Sequence, residues 1–219
     1  MSKDALIICA HSDDQILGVG GTMAHLNDAG YNVHTFIMSY GELSHPHLEP
    51  SYIRDLRREE SEEADDIVGG DGVSFFDIPE GQFRDNKNVA KKHIKRALEA
   101  YNPDLVFTHS PDDFHADHRA THDIVISTYD ELETIDTDIY VFDIWTIWNV
   151  QKRDWPRYFV GIDTTYNKKI DALHEFTSQI NLLSYTVLNN LIYVKQYITA
   201  VANGLFTDNF TAEVFYKER

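Results

Sequence analysis

Two short runs of the chain carry most of its chemically capable side chains: Ala10-His11-Ser12-Asp13-Asp14-Gln15 and His109-Ser110-Pro111-Asp112-Asp113-Phe114-His115-Ala116-Asp117-His118. Two histidines and one carboxylate, gathered from two turns, make a catalytic metal set, because three protein ligands leave a coordination position for water and substrate. The set read here is His11, Asp14 and His118. Asp13 is adjacent to Asp14, points elsewhere, and is placed to take a proton from water as general base. His115, three residues before His118, is placed to stabilise a developing oxyanion, and Asp117 to hydrogen-bond a histidine and fix its tautomer. Zinc in such a set lowers the pKa of bound water to about 7.

Each run alone has a plainer account. A His-x-Asp-Asp turn serves as a helix cap with a solvated acid pair, and His-x-Asp-His at a helix start serves as an N-cap, Asp117 being the natural one. Their joint occurrence, each directly after an apolar strand, favours the metal site. The same donors suit ferrous iron and oxygenase chemistry, but a second aspartate beside the ligand favours hydrolysis.

The elements that must position these runs follow from periodicity. Apolar runs at 5–10, 33–38, 73–76, 105–108, 139–142, 158–162 and 212–215 read as strands. Amphipathic segments at about 16–27, 54–68, 88–101, 119–132, 165–177 and 184–203 read as helices. Strands alternate with helices through the first 135 residues, so the expected architecture is α/β: a Rossmann-like, mostly parallel sheet with helices on both faces, in a single domain over 1–219. Sites in such sheets form beyond the carboxyl ends of the strands, where both runs fall. Gly18, Gly20 and Gly21 would let the first helix pack close to the first strand. They miss the spacing of a dinucleotide fingerprint, and two aspartates would face its phosphates. The loop at 40–51 holds His45 and His47, read as solvated. Cys9, the single cysteine, lies in the first strand as an inert core residue and excludes an internal disulfide.

With 219 residues, 42% hydrophobic and 12% aromatic, the composition is that of a globular domain. No apolar run is long enough to span a membrane. The start lacks a signal-peptide pattern, and a cytoplasmic protein is expected. Nineteen basic against 36 acidic residues give a net charge of −17, which argues against nucleic acid and anionic membranes as partners.

The two runs resemble the motifs of the LmbE-like, or PIG-L, deacetylases, which are zinc-dependent N-acetylglucosaminyl deacetylases. The family's Ala-His-Pro-Asp-Asp-Glu stands here as Ala10-His11-Ser12-Asp13-Asp14-Gln15. Its His-Pro-Asp-His, followed by a helix with a threonine, stands as His115-Ala116-Asp117-His118-Arg119-Ala120-Thr121. Arg57, Glu60, Ala64, Val68-Gly69, Gly41-Glu42, Ser178-Gln179 and Ala212-Glu213-Val214-Phe215 also match family positions.

The resemblance implies zinc on His11, Asp14 and His118, Asp13 as base, and His115 as the charged group that steadies the tetrahedral intermediate or helps the amine leave. It also implies Arg57 as a substrate-binding arginine; by residue type alone, Arg57 reads equally as a surface ion pair on a charged helix. The expected activity is removal of an N-acetyl group from an N-acetylglucosamine-type amino sugar or glycoside, with a small-molecule substrate and a homo-oligomer left open. A non-catalytic binding protein on this fold is the third reading. Four departures from the family pattern stand out. Ser12 replaces proline, which should loosen the turn; Gln15 replaces glutamate and carries no charge. Glu80 stands where many relatives have aspartate. Asp113 stands where some members from thiol-cofactor pathways carry a mobile tyrosine.

Overall fold

The computed structural model describes residues 3–44, 47–132, 135–145, 154–180, 194 and 197–219. Its strands are β1 (Lys3–Cys9), β2 (Tyr31–Ile37), β3 (Val73–Phe75), β4 (Leu105–His109), β5 (Asp138–Phe142), β6 (Arg157–Gly161) and β7 (Ala212–Lys217). The helices are α1 (Asp14–Asp28), α2 (Pro50–Val68), α3 (Lys87–Tyr101), α4 (Ala116–Tyr129), α5 (Tyr166–Glu175) and α6 (Thr177–Ile180). The strands form one sheet in the order β3-β2-β1-β4-β5-β7-β6. The first five run parallel, and β7 lies antiparallel between β5 and β6. The α/β class and the seven strands follow the sequence pattern; the insertion of β7 inside the sheet does not.

β1 explains why its sequence is apolar without alternation. Ala5, Ile7 and Cys9 belong to one core cluster with residues of α1, α2 and α5. Leu6, Ile8 and Ala10 belong to another with residues of α3 and α4. A strand covered on both faces has no polar side to show. The chain leaves β1 toward β2 on one side and returns as β4 on the other, with Ile8 opposite Thr108. The loops after β1 and β4 therefore emerge side by side at the switch point of the sheet, where α/β folds place their sites.

Several boundaries differ from those read from the pattern. α2 begins at Pro50, which sits in its first turn where a missing N–H does no harm. α4 begins at Ala116 and ends at Tyr129, so Asp117 and His118 lie inside its first turn; its N-cap is His115, whose side chain accepts from the Asp117 N–H. The glycines of α1 serve close packing, though against different neighbours from β1. A side chain at Gly18 would enter the Phe142 ring at the end of β5, and one at Gly21 would lie 2.8 Å from Ile162 beyond β6. Of the helix read at 184–203, most lies outside the described residues; 197–204 is helical. His45 also lies outside them. No helix of the described residues is long and apolar enough to cross a membrane.

A buried ion pair ties α1 to the distant end of the chain. Lys169 Nζ donates to the Leu17 carbonyl at 2.9 Å and pairs with Glu213 Oε1 at 2.5 Å. Glu213 in turn accepts the N–H of Gly21 at 3.1 Å and of Thr22 at 2.8 Å. Lys169 is 2% and Glu213 6% exposed, so neither charge has water to fall back on.

Asp65 on α2 gives a test of pH-dependent stability. It is buried, accepts from Gly72 N–H and Thr35 Oγ1, and burial raises its pKa to about 6. A carboxyl raised in the folded state holds a proton that the unfolded chain has lost, so stability falls as pH rises from about 4 to about 6 and stays lower above that. Holding the ionised group costs about 3 kcal/mol. In Asp65→Asn the amide can accept from Gly72 and donate to Thr35. Chemical denaturation at pH 7.5 should therefore show the variant more stable by about 1–2 kcal/mol, with the acid-side rise in stability gone. A less stable variant would mean that the carboxylate's hydrogen bonds outweigh its desolvation.

Candidate metal centre

β1 ends at Cys9, and the backbone turns at once through His11–Asp13 into α1. The Asp13 and Asp14 N–H groups both face the His11 carbonyl. Asp14 is the first residue of α1, where the helix dipole favours a carboxylate. Its Oδ2 accepts the His11 N–H at 2.8 Å. Across the switch point, the Ala10 N–H donates to His109 Nε2 at 3.0 Å, which docks the end of β4 against the end of β1.

His11, Asp14 and His118 come together around Asp14. His118 Nε2 is 3.3 Å from Asp14 Oδ1, and His11 Nδ1 is 3.5 Å from Oδ2. All three are buried. Each imidazole also has a second carboxylate on its other nitrogen: Asp117 Oδ2 is 3.2 Å from His11 Nε2, and Asp113 Oδ1 is 3.1 Å from His118 Nδ1. The contact at His11 is a hydrogen bond; the one at His118 is a close approach of unlike charges. Among the described residues the groups whose ligand atoms all lie within 4.8 Å of one another are His11-His115-His118 and Asp14-His109-His118; His118 is common to both, while the trio expected from sequence meets pairwise through Asp14. In the second of these, the His109 Nε2 lone pair already receives the Ala10 N–H, which makes His109 a support beneath Asp14. Its ring stacks on His118 with centroids 3.9 Å apart.

The electrostatics describe a place built for positive charge. Burial pushes the His11 imidazole down, but its bonds to Asp117 and Asp14 more than offset this and carry its pKa up to about 10. For His118, burial is likewise outweighed, here by Asp14 and Asp113, and the pKa rises to about 9. Burial would raise the pKa of Asp14; the charge of His118, with the close approach of His109 and His11, holds it well below the carboxylate range. His109, buried and facing the His118 charge, falls to about 4 and stays neutral. The cluster without a cation thus collects protons on two imidazoles, and the donors present fit a divalent metal that replaces them. Metal uptake at neutral pH should then release protons. Titration in buffers of different ionisation enthalpy would count them, and apparent affinity should rise with pH until about 9–10. An affinity flat from pH 6 to 8 would exclude these histidines as ligands.

Asp13 lies outside this knot, part-exposed, with its carboxylate 3.7 Å from Arg57 Nη2. Burial raises its pKa above the usual carboxylate range, while the Arg57 charge opposes the rise. The structure places Arg57 deeper than a surface ion pair would lie: it is 3% exposed. Its Nε donates to Ser12 Oγ at 2.7 Å, Nη2 to the Ser12 carbonyl at 2.6 Å, and Nη1 to the Gly41 carbonyl at 3.4 Å. Gly41 has φ +73°, and a side chain there would lie 2.9 Å from the guanidinium. The expectation that Ser12 loosens the turn is therefore overturned. Its hydroxyl is fully buried and ties the His11–Asp14 turn to α2. Gln15 holds the turn in another way, its Oε1 accepting the Asp13 N–H at 3.0 Å.

His115 is half-buried, and its ring lies 4.9 Å from His11 and 4.7 Å from His118 between centroids. Its Nδ1 accepts the Asp117 N–H at 3.2 Å, which places the proton of the neutral ring on Nε2. Burial and the charges of His11 and His118 lower its pKa. The Pro79-Glu80-Gly81 turn reaches the same knot, the Gly81 N–H donating to Asp117 Oδ2 at 2.9 Å while Glu80 accepts from Leu43. Asp113 and His109 are the residues that reading the sequence missed. Both stand in the second polar run, and the available signal is their position: one closes β4, the other is a carboxylate five residues before His118.

Comparison with known proteins agrees with this fold. The sequence model of the PIG-L family, described as GlcNAc-PI de-N-acetylase, matches residues 6–129. A curated relative, 4-oxalmesaconate hydratase of Pseudomonas putida, is 32% identical over 127 residues, which are 53% of this chain and 47% of that protein. The chain thus spans about half the length of that relative. Among solved structures, the N,N'-diacetylchitobiose deacetylase from Pyrococcus horikoshii superposes with a TM-score of 0.81 at 22% identity, covering 99% of this chain and 84% of the other. The 4-carboxy-2-hydroxymuconate hydratase from Pseudomonas putida superposes at 0.75 and 24%, covering 99% and 95%. The family pattern takes in β1, the Asp13-Asp14 turn and the His115–His118 helix start, and the chain belongs to the PIG-L family.

Proposed function

We propose that the chain is a zinc-dependent N-deacetylase that removes the acetyl group of an N-acetylglucosamine-type amino sugar or glycoside, giving acetate and a free amine. The observation that carries this reading is the division of labour between two adjacent aspartates. Asp14 is enclosed by imidazoles, whereas Asp13 stands apart, part-exposed, with a pKa raised toward that of a working base. His11, Asp14 and His118 would hold the metal, which supplies a polarising charge for water and for the acetamide carbonyl. Asp13 takes the proton of the attacking water and is the near group to pass it to the departing nitrogen. His115 Nε2–H donates to the oxygen that becomes negative. Arg57, immobilised by Ser12 and Gly41, fixes the Asp13 carboxylate through charge and borders the substrate side of the turn.

The hydratase relatives make addition of water to a carboxylated alkene the competing reading. A polycarboxylate needs cations to receive it, and the arginines around the site are committed. Arg54 pairs with Glu42 and Asp77, Arg57 bonds Ser12 and Gly41, and Arg119 donates to the carbonyls of Asp113 and Phe114. Acetate release from a panel of N-acetyl amino sugars, measured after chelation and again with zinc restored, tests the proposal. Release that returns with the metal is the expected result. Hydration of an unsaturated carboxylate with no acetate from any sugar would overturn it.

A further inference from the structure

The loop between β4 and α4 holds a carboxylate to which none of the roles above assigns a task. Asp113 is 1% exposed. Its Oδ1 accepts the His115 N–H at 2.9 Å and faces His118 Nδ1 at 3.1 Å. Its Oδ2 accepts the N–H of Ile144 at 3.0 Å and of Trp145 at 3.2 Å, just beyond β5.

We propose that Asp113 is a positioning residue that keeps the proton of His118 on Nδ1, so that Nε2 presents its lone pair toward Asp14 and a shared cation, while the same carboxylate pins the Ile144–Trp145 backbone at the rim. The inference rests on the reading of His118 as a metal ligand. The surroundings of the ring leave Asp113 as the acceptor for Nδ1: His109 stacks on one face, and His11 and His115 flank it as rings. Trp145, whose N–H this carboxylate holds, is 43% exposed, and Phe114, the neighbour of Asp113 in sequence, is 71% exposed. One side chain thus touches both His118 and the backbone of an exposed tryptophan.

An amide at this position separates the two tasks. In Asp113→Asn the single carbonyl can still accept from Ile144 and Trp145, leaving the NH2 toward His118 and toward the His115 N–H, which also loses its acceptor. Nδ1 must then accept, and the proton moves to Nε2, the nitrogen required by the metal. The same logic makes an aspartate-to-asparagine change behind a catalytic histidine severe although the geometry survives. Asp113→Glu restores an acceptor.

The test measures zinc dissociation constants of the wild type and both variants by competition with a chromogenic chelator, alongside long-range 1H–15N spectra of the zinc-loaded wild type labelled in histidine. Expected are affinity about 10–100-fold weaker in Asp113→Asn, partial recovery in Asp113→Glu, and an Nδ1–H signal for His118. Asp113→Asn with wild-type affinity, even if less heat-stable, would reduce Asp113 to a structural brace and overturn the inference. So would an Nε2–H signal in the wild type, a result that needs no variant to fold. Wild type that takes up no zinc would overturn the zinc reading itself, and is recognisable because the variants then have nothing to be compared with.

Discussion

Asp13→Ala is expected to bind metal like the wild type and to lose about 10²–10⁴ of its turnover, the range by which a positioned general base accelerates a reaction. The separation follows from the site. The donors surround Asp14, and the Asp13 carboxylate reaches none of them closely enough to belong to a metal set. The turn itself is held by groups other than that carboxylate: Ser12 by Arg57, the Asp13 N–H by Gln15, and the His11 N–H by Asp14. Removing the side chain therefore takes away a base and leaves the scaffold standing. Metal content by elemental analysis and kcat on the best N-acetyl sugar would be measured on the same preparation. Wild-type turnover would end the assignment of Asp13; a parallel loss of metal would move it into the coordination set.

His118→Ala has the opposite signature, with metal gone and activity with it. His118 is 1% exposed and shared by every candidate set. Its removal leaves Asp14 and Asp113 as buried carboxylates with an imidazole missing between them. Breaking one partner out of a buried charged group typically costs about 3–5 kcal/mol, so the melting temperature of the variant should fall. Chelator-treated wild type should regain acetate release when zinc is returned, and His118→Ala should not. A variant that keeps stoichiometric zinc would show that His11, Asp14 and His115 suffice, and would promote His115 from a hydrogen-bond donor to a ligand.

The sequence carried the alternation of strands and helices, the two polar runs and their place at strand ends, since apolar runs that stop at charged residues leave a clear pattern. What it hid were facts of the third dimension. The register of Ile8 against Thr108 brings the runs together, and no local pattern encodes it. Ser12 looked like a weakened proline position because its partner, Arg57, lies 45 residues away. Asp113 looked like a mere departure because its value lies in touching His118 and the end of β5 at once. α4 starts earlier than the pattern indicates, for a histidine cap is a weaker signal than the aspartate two residues on.

The pair formed by Lys169 and Glu213 makes the helix of the donor turn depend on distant sequence. Three of the backbone groups of α1 are served by side chains that follow about 150 to 190 residues later. Asp14 sits at the start of that helix, and Glu213 sits on β7, the strand between β5 and β6. A chain cut before Ala212 would own every candidate ligand and lack Glu213, leaving Lys169 and two N–H groups of α1 without the carboxylate they share.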